Sequence, residues 1–338
     1  MNVSVREVAP RDGLQNEEPI PTEAKVRLID ALSGTGVARI EAVSFVHPKA
    51  IPQMADADQV WAQMRHNPDV RYSALIPNSR GAERAIKAGF REIEVVVSAS
   101  DTHNRRNLNR SPAESLDDIA ALIPNRRGAE RAIKAGFREI EVVVSASDTH
   151  NRRNLNRSTA ESLDDITALI PQVHDSGATL EVIVATSFGC PFEGDIDPER
   201  VASIVERVRA DGADRIAFGD TTGMATPRRV RDLLSAVRPD LLHFHNTRGT
   251  GLANLLTGLE LGVTEFDASV GGIGGCPYAP GASGNIATEE VVHMLHDMGI
   301  DTGIDLDALI GVAELAEKLL GRTLPSGVLR AGPRTRLV

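Results

Sequence analysis

Two histidines stand one residue apart in Leu242-His243-Phe244-His245-Asn246, inside a short apolar run that reads as a β-strand. Alternation along a strand sends His243 and His245 to the same side. Two imidazoles on one side, in a chain with acidic groups after other strands, suit a divalent metal held by mixed nitrogen and oxygen ligands. A hydrogen-bonded pair of core histidines is the plainer alternative. Near the start of the chain, Pro10-Arg11-Asp12-Gly13-Leu14-Gln15-Asn16-Glu17 follows a first strand and sets a guanidinium beside a carboxylate. An exposed Arg-Asp pair contributes little. Glu41, however, lies in an otherwise apolar second strand, where a carboxylate needs a partner. Arg11 is the natural one, and the pairing would fix its guanidinium for bidentate or oxyanion contacts; a structural salt bridge is the competing reading. The stretch Gly271 to Asn285, GGIGGCPYAPGASGN, is too rich in glycine for a core element. It reads as a mobile loop that places Cys276 toward solvent or ligand, or as a surface turn with an inert thiol.

The elements that must position these groups alternate. Short apolar strands are expected at Val3 to Ala9, Arg39 to Phe45, Val70 to Ile76, Glu92 to Ser98, Thr179 to Thr186, Arg215 to Gly219, Leu241 to His245 and Thr264 to Val270. Helical segments run between them, opened by such signals as Asp197-Pro198 and Thr226-Pro227. That is the pattern of βα units around a parallel sheet. With 338 residues, 41% of them hydrophobic, the chain fits one α/β domain, a (β/α)8 TIM barrel over residues 1–338. Each strand ends in polar or Gly-rich residues, where a barrel places its chemistry.

One feature departs from an ordinary barrel. Residues 76–122 recur as 123–169 with three differences: Ser79 against Arg126, Pro112 against Thr159 and Ala120 against Thr167. Solenoid repeats number three or more and drift apart, so two near-identical copies read as a recent tandem duplication. Without one copy about 290 residues remain, an ordinary barrel length. Each copy reads as helix, strand, basic loop and helix, which makes the insert αβα. Strand number and shear are linked in a closed barrel, so eight strands are expected in the ring, with one copy, or parts of both, displaced to the outside.

A formal charge of -10 without a Lys/Arg cluster argues against a nucleic-acid partner. Cys190 and Cys276 lie far apart and match no zinc spacing, which fits a reducing compartment. The first residues, MNVSVREVAPRDG, lack the apolar core of a signal peptide, and no apolar run is long enough to span a bilayer. A cytoplasmic protein, with a homodimer as the usual expectation for an oligomer, follows from these features.

The stretches EVAPRDGLQNE, IEAVSFVHPKAIPQM, GCPFEG, GDTTG, HFHNTRG and GGIGGCPYAPGASGNIATEE, in that order, resemble the hydroxymethylglutaryl-CoA lyases across nearly the whole chain apart from the repeat. The resemblance implies a retro-Claisen lyase with an acyl-CoA substrate and Mg²⁺ or Mn²⁺ as cofactor. It carries metal ligation to Asp12, His243, His245 and Asn285, enolate stabilisation to Arg11, and the holding of Arg11 to Glu41. Asp12 becomes a candidate base, His243 a candidate acid, Cys276 the thiol on a closing loop, and Gln15 and Asp220 neighbouring positions. The basic stretch His103 to Arg110, with Asn107 at its centre and a twin at His150 to Arg157, could meet coenzyme A phosphates or simply be solvated. One departure stands at Asn246-Thr247-Arg248-Gly249, where the family form is Asp-Thr-Tyr-Gly. Arg248 at the mouth could select a different 3-hydroxyacyl-CoA. A condensing synthase of the same superfamily, and a chain whose site the repeat has broken, are the alternatives; the PRDGLQNE and GGCPYAPGASGN stretches favour the lyase, and all the implied ligands lie outside the repeat.

Overall fold

The sheet is a closed ring of parallel strands in chain order, with the last paired to the first. The strands are β1 Ser4–Glu7, β2 Arg39–Ser44, β3 Arg71–Ile76, β4 Glu92–Val95, β5 Glu139–Ser145, β6 Thr179–Ala185, β7 Arg215–Gly219, β8 Leu241–His243 and β9 Glu265–Ala268. This computed structural model describes residues 2–46, 48–49, 51–76, 84–85, 88, 92–95, 139–275 and 284–336. Among the described residues no helix is long and apolar enough to cross a membrane.

Alternation sorts each strand into two faces. Leu242 and Phe266 face the helical layer, and the helix Gly251–Glu260 comes so close that a Cβ at Gly258 would lie 2.5 Å from Leu242 Cδ1. Their neighbours in sequence, His243 and Asp267, therefore face the lumen. The helices begin where capping chemistry dictates. Asp197 accepts from the Glu199 amide before Pro198–Asp211, Thr226 accepts from Arg229 before Pro227–Ala236, and Ser158 with Glu161 forms a reciprocal capping box before Thr159–Asp175.

The barrel class matches the expectation; the handling of the repeat does not. Both copies contribute a strand to the ring, so it has nine staves where eight were expected, with β4 and β5 side by side. Their register sets Glu92 against Glu139, Ile93 against Ile140, Glu94 against Glu141 and Val95 against Val142, each residue beside its own counterpart. Backbone ladders do not read side chains, so nothing local excludes the second copy. The basic loop expected at His150 to Arg157 also differs: Asp148–Leu155 is a helix, capped by Ser147 and closed at Asn156 in the left-handed conformation with φ of 50°. An Asp148–Arg152 ion pair one turn apart supports it.

Deleting residues 76–122 joins Leu75 to Ile123 within the same local sequence and returns an eight-stave ring. Thermal melting is expected to rise by several degrees, on a scale of about 2–4 °C per kcal/mol for a domain of this class. An unchanged or lower melting temperature would show that the ninth stave costs the fold nothing.

Candidate functional site

Glu7, the last residue of β1, fixes the loop that follows. One carboxylate oxygen accepts from the amides of Ala9 (2.8 Å) and Val270 (3.0 Å), and the other from Thr288 Oγ1 (2.6 Å). The chain then makes a wide helical turn over Ala9–Gly13, with Pro10 in its first turn. Gly13 allows the Gly271–Gly275 segment to pass close by, since a Cβ there would lie 2.6 Å from Ile273 Cγ1. Two segments on opposite ends of the chain, 263 residues apart at the Val270–Glu7 contact, are thereby clamped at the mouth of the barrel.

Asp12 receives hydrogen bonds on both oxygens. Oδ1 accepts from Arg11 Nη1 and Gln15 Nε2, each at 2.9 Å, and Oδ2 accepts from Asn285 Nδ2 at 2.8 Å. Arg11 also donates through Nη2 to Glu41, which is 3% exposed. His245 pairs with Asn285 in a short antiparallel bridge, and the imidazole centroids of His243 and His245 lie 5.1 Å apart. Asp12, His243 and His245 each offer a ligand atom, and these atoms lie within 4.8 Å of one another.

Two buried atoms at this spot, His245 Nδ1 and Asn285 Oδ1, have no hydrogen-bond partner among the described residues. Buried polar atoms without partners are costly. Together with the Asp12 carboxylate they form a nitrogen and oxygen donor set that fits a divalent cation. The electrostatics agree. Burial opposes ionisation of Asp12, but Arg11, His243 and the Asn285 hydrogen bond hold its carboxyl below the usual range. Burial and the neighbouring His243 push His245 down to about 3, which leaves it neutral and free to ligate.

The remaining residues expected at the site are arranged around this centre. Asp220, after β7, accepts the amides of Met224 (2.7 Å) and Ala225 (2.9 Å) on Oδ1, and burial pushes its carboxyl up to about 7. Arg248 is exposed, and its Nη1 donates to the carbonyls of Thr222 (3.0 Å) and Gly223 (2.7 Å), tying the loops after β7 and β8. Cys276 and Asn107 lie outside the described residues. On the helix Asp148–Leu155 the arginines already have partners: Arg152 pairs with Asp148, and the Arg153 guanidinium sits 4.1 Å from the Phe192 ring centroid. Arg157 pairs with Asp165 beyond the helix.

Sequence reasoning missed the row beneath the cluster. His243 Nδ1 lies 3.0 Å from Asp267 Oδ2, and Asp267 is held by Arg6. The signal was present: charged residues at lumen-facing positions of β1 and β9, each flanked by a buried apolar residue, need each other.

A family model described as HMGL-like matches residues 2–125 and 119–316. The chain belongs to the HMGL-like family. It is 39% identical to the hydroxymethylglutaryl-CoA lyase of Bacillus subtilis over 96% of this chain and 95% of that one. It is 41% identical to the (R)-citramalyl-CoA lyase of Chloroflexus aurantiacus over 98% and 95%. Among solved structures, the Bacillus HMG-CoA lyase superposes with a TM-score of 0.77, at 39% identity and 97% coverage of both chains. An Acinetobacter baumannii HMG-CoA lyase in complex with coenzyme A and 3-methylmalate superposes with a TM-score of 0.76, at 40% identity, covering 100% of this chain and 97% of the other. In this HMGL-like chain, the overlap of the two family matches at residues 119–125 falls where the second copy begins.

Glu7 provides a stability test of the clamp. Burial pushes its carboxyl up to about 7 from an ordinary 4.5. The unfolded chain therefore ionises first, and the folded state loses stability as pH rises from about 4.5 to about 7. The stability difference between wild type and Glu7→Gln is expected to shift against the wild type across that window, by up to about 1.4 kcal/mol per pH unit. Parallel pH-stability curves in denaturant unfolding would contradict this assignment.

Proposed function

We propose that this chain cleaves 3-hydroxy-3-methylglutaryl-CoA to acetyl-CoA and acetoacetate, with Mg²⁺ or Mn²⁺ held by Asp12, His243, His245 and Asn285. The observation that carries this reading is the convergence of those four side chains beside Arg11, whose guanidinium Glu41 fixes. The likeness to hydroxymethylglutaryl-CoA lyases over nearly the whole chain supports the carbon–carbon lyase class. A related structure holding coenzyme A supports an acyl-CoA substrate. The whole chain, both copies included, works as one catalytic domain.

The reaction breaks the bond between C2 and C3. The tertiary hydroxyl loses its proton, its oxygen becomes the ketone of acetoacetate, and the electron pair of the broken bond passes to the thioester as an enolate. A bound divalent cation supplies acidification of the hydroxyl, so a weak base suffices. Asp12, held ionised by Arg11, is that base. Arg11 faces the developing enolate oxygen with a guanidinium fixed in advance, the kind of electrostatic term that dominates such reactions. His243 has only Nε2 left once Nδ1 is given to Asp267. A ligating nitrogen cannot also deliver a proton, so we assign His243 to ligation; Cys276, which the resemblance to the lyases sets on a loop over the site, is the candidate for returning a proton to C2. We place Asp220 and Arg248 at the wall of the acyl pocket, and Gln15 steadies Asp12.

A second reading takes a related 3-hydroxyacyl-CoA. The likeness to a citramalyl-CoA lyase and the presence of Arg248 in Asn246-Thr247-Arg248-Gly249 favour it. Citramalyl-CoA carries its terminal carboxylate one methylene closer to the carbinol, a difference that pockets discriminate by roughly 10–200-fold.

Turnover of both thioesters decides between them. Acetoacetate release from hydroxymethylglutaryl-CoA is expected to exceed pyruvate release from citramalyl-CoA in kcat/KM, to stop with chelator and to be lost in His243→Ala. Arg11→Met is expected to lower kcat by about 10²–10³ with little change in KM. Pyruvate release alone would move the assignment to the second reading.

A further inference from the structure

The row of charges below the metal cluster takes no part in the chemistry above, yet it is built onto one of the proposed ligands. β1, β9 and β8 are consecutive staves, and their register sets Arg6 beside Asp267 and Asp267 beside His243. Arg6 grips Asp267 with both ends of its fork, Nε to Oδ1 at 2.7 Å and Nη2 to Oδ2 at 3.0 Å. The same Oδ2 meets His243 Nδ1 at 3.0 Å. Arg6 is 7% and Asp267 4% exposed. The third guanidinium nitrogen, Nη1, donates to Glu141 on β5 at 2.7 Å and lies 3.6 Å from Glu181 on β6, so the guanidinium is held on every side.

This geometry has a consequence for the imidazole. A bidentate carboxylate facing a guanidinium carries no proton, so the hydrogen between Asp267 and His243 belongs to Nδ1. In the neutral imidazole Nε2 is then the lone-pair nitrogen, and the ligand atom that His243 offers lies within 4.8 Å of those of Asp12 and His245. We propose that Arg6 is a positioning residue: acting through Asp267, it holds His243 in the tautomer and orientation that present Nε2 to a divalent cation. The inference rests on the metal reading of the cluster and extends it one layer down the barrel, to a residue on a different strand from any of the ligands. The competing role for Arg6 is charge compensation alone, in which His243 would be indifferent to what Asp267 presents.

Asp267→Asn separates the two. Arg6 offers two donors to a side chain that then has one acceptor oxygen, so the amide oxygen turns to Arg6 and the NH₂ turns to His243. The hydrogen bond to the imidazole reverses, and the proton moves to Nε2. In the full-length protein freed of metal, at alkaline pH where the imidazole is neutral, ¹⁵N chemical shifts are expected to report an Nδ1-protonated His243 in the wild type and an Nε2-protonated one in the variant. Mn²⁺ titration followed by electron paramagnetic resonance is expected to show affinity reduced about 10–100-fold. Arg6→Lys keeps the charge and loses the fork, and is expected to give a mixture of tautomers with intermediate affinity. An Asp267→Asn protein with the wild-type tautomer and Mn²⁺ affinity would overturn the proposal, as would Arg6→Lys indistinguishable from wild type in both measurements, or a wild type that binds no Mn²⁺. Neither readout uses an acyl-CoA, so absent turnover would count against the substrate assignment and leave this inference standing.

Discussion

Arg6 is the cation around which the lumen is organised. Carboxylates from three other staves converge on it, Asp267 from β9, Glu141 from β5 and Glu181 from β6, each about 5% exposed. Burial works against the charge on Arg6 and on Asp267. Even so, the surrounding carboxylates hold the Arg6 guanidinium well above its ordinary range, and Arg6 with His243 holds Asp267 well below the carboxylate range. Such a set is stable only as a whole, since removing one partner of a buried pair costs about 3–5 kcal/mol by leaving the other uncompensated. A second set stands beside it, with Arg215 bridging Glu181 and Glu265. The lumen is thus filled in part by ionic rows running from stave to stave, while apolar side chains such as Val182, Leu242 and Phe266 are buried beneath the helices.

The site inherits its order from these rows. His243 stands at the upper end of one, and Asp12 reaches it from a loop that Glu7 fixes to the Gly-rich segment after β9. Asn285 arrives by pairing its backbone with His245. Arg11 is set by Glu41 from β2. Arg11, Asp12, His243 and Asn285 are therefore each supported by a contact from a different stave or loop, and two buried atoms at the site, His245 Nδ1 and Asn285 Oδ1, are left for a cation to satisfy.

Much of this was legible in the sequence, because strand alternation and ordered motifs are local signals. Each strand read from the apolar pattern is present within one to three residues of its expected bounds, and Arg215–Gly219 coincides with them. The His-x-His pair and the Arg-Asp turn were visible for the same reason. The helix at Asp148–Leu155 was not, because its arginines suggested a solvated loop; the stabilising signals were the Ser147 cap and the Asp148–Arg152 pair. The ionic rows were not legible either, since Arg6 and Asp267 are 261 residues apart and only ring closure makes them neighbours. The number of staves is a property of closure too. Two identical strands satisfy the same ladder equally well, and the sequence of either copy holds no instruction to stay outside.

The claim that the whole account stands on is that Asp12, His243, His245 and Asn285 surround one divalent cation. Anomalous diffraction from crystals of the full chain grown with Mn²⁺ tests it most directly. The account requires a single strong manganese peak per chain, bonded to one atom from each of those four side chains, with His243 ligating through Nε2. A chain crystallised in the same fold with no peak among them, or with manganese bound elsewhere and His245 and Asn285 satisfied by protein groups, would contradict it.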